Sequence, residues 1–320
     1  MSAVRIPLTV VGGYLGAGKT TLVNHVLRHN AGRRFAVLVN DFGQINIDAD
    51  LIAGQEDGTI TLTNGCVCCS LASGFVVALS ALREREPPPE HVIVEASGVS
   101  DPHKLAQYGH MPGYRLDGTV VVADAEAVRQ RAADPYIGAQ VRQQLLGADL
   151  IVLNKSDLVS APEQTAVRDW LRALVPAARI VEAVHGRVAV PLLLGSEEAD
   201  GPPPTGARGA LRGAAPAHAP DRDYASWSYA GAGALDGDAF RALVAALPEG
   251  VLRGKGVLSL KEDPDHRFVF QLVGKRWSVK RDAAWGDAPP RTRIVLLGLP
   301  GSLDDARLIA DFASAGKPGE

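Results

Sequence analysis

The chain has 320 residues, 46% of them apolar and 22% charged, with a formal net charge of −3. That balance supports one large domain and a smaller one, and it excludes a disordered or fibrous chain. So small a net charge supplies no global field for a nucleic-acid backbone or an acidic membrane surface, and neither partner is expected.

The opening MSAVRIPLTVVGG lacks the layout of a signal peptide, and no apolar run is long enough to span a bilayer. A cytoplasmic protein with its three cysteines reduced is expected. Along the chain, RIPLTVV, FAVLVN, HVIVEA, DGTVVVADA, DLIVLN and ARIVEA are short β-branched runs that alternate with helical patterns. They predict a doubly wound α/β fold around a mainly parallel sheet buried on both faces. Helices are expected at 19–29 and at 161–174, the second with Val167, Leu171 and Leu174 on one face. From 200 to 222 Pro, Gly and Ala dominate without a period, which predicts a linker between a first domain at 1–199 and a second at 223–320. The second domain offers SWSYA, a helix DGDAFRALVAAL, the runs VLRGKGVLSL, HRFVFQLV, KRWSVKR and RTRIVLLGL, and a closing helix at 303–313. Short glycine-containing connections favour antiparallel pairing, so this is a small α+β domain in which QLVGKRW forms a hairpin.

Between the first strand and first helix lies GYLGAGKT, residues 13–20, with the spacing of a P-loop. Glycines let successive N–H groups turn inward toward phosphate oxygens while the following helix presents its positive end. Gly13, Gly16, Ala17, Gly18, Lys19, Thr20 and Thr21 are the expected phosphate-binding set. Lys19 would reach the β- and γ-phosphates and the Thr20 hydroxyl would ligate Mg²⁺. In VIVEASG a strand delivers Glu95, suited to meeting Mg²⁺ through water, and Gly98 follows with an N–H for the γ-phosphate. Lys19, Thr20 and Glu95 form the expected catalytic group. After DLIVL comes NKSD, residues 154–157. The two carboxylate oxygens of Asp157 can accept from guanine N1–H and the 2-amino group, which adenine lacks. Asn154 would support the acceptor edge of the base and Lys155 would lie along its face, so GTP is the expected nucleotide.

All three cysteines, Cys66, Cys68 and Cys69, fall in NGCVCC. Three thiols so close cannot pair off, and a closed structural zinc site needs a fourth ligand, so a temporary thiolate metal site is expected. A redox-reactive thiol cluster is the alternative. His25 and His29, four apart on the first helix, either chelate or complement the helix dipole.

Together the motifs GGYLGAGKTTLVN, NDFGQINID, NGCVCC, EASGVSDP, NKSDL and AVHGRV, with LPEGVLRGKGVLSL and FQLVGKRW in the second domain, resemble the CobW-like metallochaperone GTPases, relatives of the nickel-delivery GTPases UreG and HypB. The resemblance covers nearly the whole chain. It implies a GTPase that binds Zn²⁺ or Co²⁺ at Cys66, Cys68 and Cys69, uses GTP to stabilise the loaded state and releases metal to a client metalloprotein, with a link to cobalamin biosynthesis. Asp41 stands where the family usually has Glu and is counted with the metal residues, one methylene shorter. No His-rich tract is present and no arginine finger is evident, so slow intrinsic hydrolysis is expected of a monomer or homodimer. The other reading is a GTP-switched assembly or insertion factor whose cysteines sense redox state.

Overall fold

The computed structural model describes residues 5–30, 32–40, 60–63, 71–195 and 224–316. The chain divides into two compact units, Met1–Val190 and Pro191–Glu320.

The first unit is built on seven strands in the order β3-β2-β4-β1-β5-β6-β7, every neighbouring pair parallel. They are β1 (Ile6–Gly12), β2 (Phe35–Asn40), β3 (Ile60–Thr63), β4 (His91–Ala96), β5 (Tyr114–Asp124), β6 (Leu150–Asn154) and β7 (Arg179–Glu182). Six of these are the β-branched runs expected; β3, the edge strand ITLT, was not. On one face Leu8, Val10, Val92 and Val94 pack against Phe75, Leu79 and Leu82 of helix α2 (Leu71–Arg83). Beside them Val121, Ala123, Ile151 and Leu153 pack against the short helix α4 (Val128–Ala133), α5 (Gly138–Leu146) and α6 (Ala161–Leu174). The intervening residues Val11, Val37, Ile93, Val120 and Val152 are equally buried, the expected state of parallel strands covered on both faces. Helix α1 (Lys19–Arg28), with Leu22, Val23 and Val26 buried, connects β1 to β2, and α3 (Pro102–Ala106) follows β4.

All seven strands run the same way, so the last residues of β1, β4, β5 and β6 share one edge. Glu95 sits beside Val11, and Asp124 beside Asn154. The sheet therefore gathers at its carboxyl edge, where such folds bind ligands, motifs whose residues Ala17 and Asn154 lie 137 residues apart in the chain.

The second unit begins earlier than the expected boundary at 199. In α7 (Val190–Leu194) Leu192, Leu193 and Leu194 are buried, and the Arg253 guanidinium donates to the Leu192 carbonyl at 3.0 Å and also to that of Leu193, fixing this segment to the second unit. The Pro/Gly/Ala-rich stretch lies outside the described residues. Five antiparallel strands, β8 (Ala225–Gly231), β9 (Val251–Leu260), β10 (Asp263–Val273), β11 (Arg276–Ala284) and β12 (Thr292–Gly298), stand in the order β11-β10-β9-β12-β8. Helices α8 (Gly237–Ala245) and α9 (Asp305–Gly316) place Phe240, Val244, Leu308 and Phe312 against Trp227, Leu258, Phe270 and Leu296. Phe240 meets Phe270 edge-on at 5.1 Å and Trp227 lies 5.1 Å from Phe312, spacings favoured by aromatic quadrupoles. The expected hairpin joins β10 to β11: Val273 pairs with Arg276, and Gly274 takes the left-handed φ of 59° that a two-residue turn requires.

Candidate nucleotide site

The turn between β1 and α1 has Gly13, Gly16 and Gly18 at φ of 135°, 73° and 104°. Lys19 is the first residue of α1 and is 7% exposed. Thr20 donates its hydroxyl to Glu95 Oε1 at 2.7 Å, and Glu95 is only 1% exposed at the end of β4. The two side chains expected to share a cation are thus in direct contact, although 75 residues apart.

The NKSD turn after β6 is hydrogen-bonded to the phosphate loop. Asn154, 2% exposed, donates from Nδ2 to the Ala17 carbonyl at 2.9 Å and accepts at Oδ1 from the Gly186 N–H at 2.8 Å. Its amide therefore ties the phosphate loop to the turn after β7, a positioning role beside the base contact expected of it. The approach is close enough that a Cβ on Gly18 would lie 2.3 Å from Asn154 Nδ2. Lys155 adopts the left-handed conformation, φ 60°, and its ammonium sits 2.7 Å from Asp124 Oδ2. Asp124 is buried and also accepts from the Glu126 N–H, so it orients the lysine stem at the mouth of the site. Asp157 follows in a single 3-10 turn and is exposed. Ser156 anchors that turn through its N–H and hydroxyl, both donating to the Ala183 carbonyl.

Reasoning from sequence overlooked Asp124 and Gly186. The signal for the first was present, an acid closing the buried run VVVAD; Gly186, within AVHGRV, carries no signal until Asn154 is placed. His29 Nδ1 bonds the His25 carbonyl in the last turn of α1, and His25 Nε2 bonds the Val188 carbonyl. Burial, and then the neighbouring His29, push the His25 pKa down from 6.5. Cys66, Cys68, Cys69 and Asp41 lie outside the described residues. Among the described residues no cluster of three or more His, Cys, Asp or Glu could hold a metal ion, and no helix is long and apolar enough to cross a membrane.

Residues 7–182 match the family model described as CobW/HypB/UreG, nucleotide-binding domain, and residues 224–316 match the cobalamin synthesis protein cobW C-terminal domain. The chain belongs to the CobW/HypB/UreG family. It is 34% identical over 342 residues to a zinc chaperone CobW of Sinorhizobium sp, covering 96% of both chains. It is 30% identical to a zinc chaperone CobW of Pseudomonas aeruginosa, covering 97% of this chain and 92% of the other. A zinc-regulated GTPase metalloprotein activator 1 of Schizosaccharomyces pombe shares 30% identity over 57% of this chain and 47% of its own length. The CobW-family match thus takes in both units, and the expected P-loop and small α+β architecture holds throughout.

Proposed function

We propose that this protein is a GTP-hydrolysing metallochaperone that binds Zn²⁺, or Co²⁺ in its place, at Cys66, Cys68 and Cys69 and passes it to a client metalloprotein in the cytosol. The observation that carries the nucleotide half is the Asn154 bridge, which joins the turn after β6 to the Ala17 carbonyl of the phosphate loop and so supports reading the two as one site. GTP supplies both ends of that site, its base toward Asp157 and its phosphates toward Lys19. The names borne by the full-length relatives support the metal half.

The Thr20 hydroxyl and the buried Glu95 carboxylate, 2.7 Å apart, form the all-oxygen pair that suits Mg²⁺. Bound there, the ion would neutralise charge developing on the phosphates. Lys19 holds the β- and γ-phosphates, Gly98 offers its N–H to the γ-phosphate, and Glu95 keeps Thr20 aimed at the cation. Water attacks the γ-phosphorus and the bond to the β-bridging oxygen breaks, giving GDP and inorganic phosphate. Hydrolysis is slow until a client or second copy supplies a cation to the transition state, a contribution of about 10³-fold or more.

Zinc titration with and without a non-hydrolysable GTP analogue tests this reading. Tighter zinc binding with the analogue, lost when the three cysteines are changed to serine, is the expected result. A GTP cycle indifferent to zinc would replace the chaperone by a GTP-switched assembly factor, and preference for ATP would overturn the nucleotide assignment.

A further inference from the structure

Three consecutive carbonyls after the buried acid are held from one helix. Gln144 Nε2 donates to the Gly98 and Ser100 carbonyls, both at 2.9 Å, and Gln140 Nε2, one helical turn earlier on α5, donates to that of Val99 at 2.6 Å. Gln144 is 2% exposed and its Oε1 is buried without a hydrogen-bond partner. Burying an amide with one end unmet is unfavourable. The two carbonyls it serves are what offsets that cost. From the adjoining α4, Arg131 donates to the Leu15 carbonyl at 2.9 Å and lies 5.6 Å over the Tyr14 ring. Tyr14 and Leu15 are the two residues of the phosphate loop between Gly13 and Gly16. Leu15 in turn rests on Gly98: a Cβ there would stand 2.4 Å from Leu15 Cδ2.

We infer that the α4–α5 hairpin is a positioning clamp on the nucleotide loops, Gln140 and Gln144 fixing the γ-phosphate turn at 98–100 and Arg131 fixing the phosphate loop. The two grips act on different parts of the ligand. The 98–100 turn meets only the γ-phosphate, so loosening it penalises the triphosphate; the phosphate loop cradles what GDP and GTP share, so loosening it penalises both. Contact between Leu15 and Gly98 couples the two grips. This inference rests on the GTPase reading above.

The test is the affinity of the full chain for GDP and for a non-hydrolysable GTP analogue, beside a melting curve. Gln140→Leu and Gln144→Leu, which fill most of the space and lose the donors, are expected to weaken the analogue, about tenfold for Gln140, the scale of one lost hydrogen bond, and more for Gln144, which loses two, with GDP binding unchanged. Arg131→Met is expected to weaken both ligands alike, with Arg131→Lys restoring part of the loss. Combining Gln140→Leu with Arg131→Met should give less than the product of the single effects on the analogue. A lowered melting temperature with parallel losses for both nucleotides in the glutamine variants would reduce them to packing residues and overturn the clamp, as would no change at all. If the unaltered chain bound neither nucleotide, the function reading would fall first and this inference with it.

Discussion

Asp157 and Gly18 are the residues whose substitution separates base reading from loop geometry. Asp157 is exposed and makes no contact that folding needs, so Asp157→Asn should leave stability intact, weaken GTP by about 10²-fold and spare xanthosine triphosphate, whose 2-oxo group accepts from the new amide. Competition binding with the two nucleotides reads this directly; equal affinities in mutant and parent would remove Asp157 from the base site. Gly18→Ala acts by another route. Its φ of 104° costs about 1–3 kcal/mol for a residue with a side chain. The new Cβ would also displace Asn154 from the Ala17 carbonyl. Loss of both GDP and GTP binding is expected, with a melting temperature lowered by a few degrees. The residues expected to meet nucleotide were legible as motifs because their types and spacing follow from phosphate and guanine chemistry. Those that position them were not: Gln144 reaches back 46 residues to Gly98 and Arg131 reaches 116 to Leu15, and a lone Gln or Arg on an amphipathic helix reads as a solvated face. The expected metal residues Cys66, Cys68, Cys69 and Asp41 lie outside the described structure, and their role stands as a proposal.

At the scale of elements, α1 carries a pH response. His25 accepts a proton less readily in the fold than in the unfolded chain, because of burial and His29. Its contribution to stability is therefore complete above about pH 6.5 and declines as pH falls through that value toward the lowered folded pKa. His25→Gln, which retains a donor for the Val188 carbonyl, should flatten the fall in melting temperature between about pH 7 and 5.5 relative to the parent. An unchanged slope would show that other groups carry the acid sensitivity. β1, β2, β4, β5 and β6 were legible as β-branched runs of five or more residues largely buried on both faces, and β7 within the longer run ARIVEA. ITLT, four residues alternating Ile, Thr, Leu, Thr at the sheet edge, has too little apolar content to stand out, and only pairing with β2 makes it a strand. The start of the second unit was hidden for a related reason: VPLLL reads as the tail of the first domain until Arg253, some 60 residues on, binds its carbonyls.

For the molecule as a whole, two compact units, each with its own hydrophobic packing, predict two unfolding steps. Calorimetry with Mg²⁺ and GTP at about a hundredfold excess over Kd should move only one of them, by about 2.7 kcal/mol of linkage, which is several degrees for a unit of this size. A single transition that shifts entire would mean the units unfold together. The change of fold class from parallel to antiparallel sheet was visible in the texture of the runs, since a parallel sheet needs long helical crossovers and an antiparallel one does not.

Gly18 and Asn154 occupy each other's space, and this has a consequence for anyone who would re-engineer the protein. The base-reading turn is no interchangeable cassette. A graft that brought in an adenine-selective loop with a bulkier residue at position 154 would strike the phosphate loop before it met any nucleotide, and a phosphate loop borrowed from elsewhere with Ala or Ser at position 18 would evict the native Asn154. Only joint libraries at positions 18 and 154, with Gly186 held constant, would sample working alternatives, and selection on either position alone should return the parent sequence.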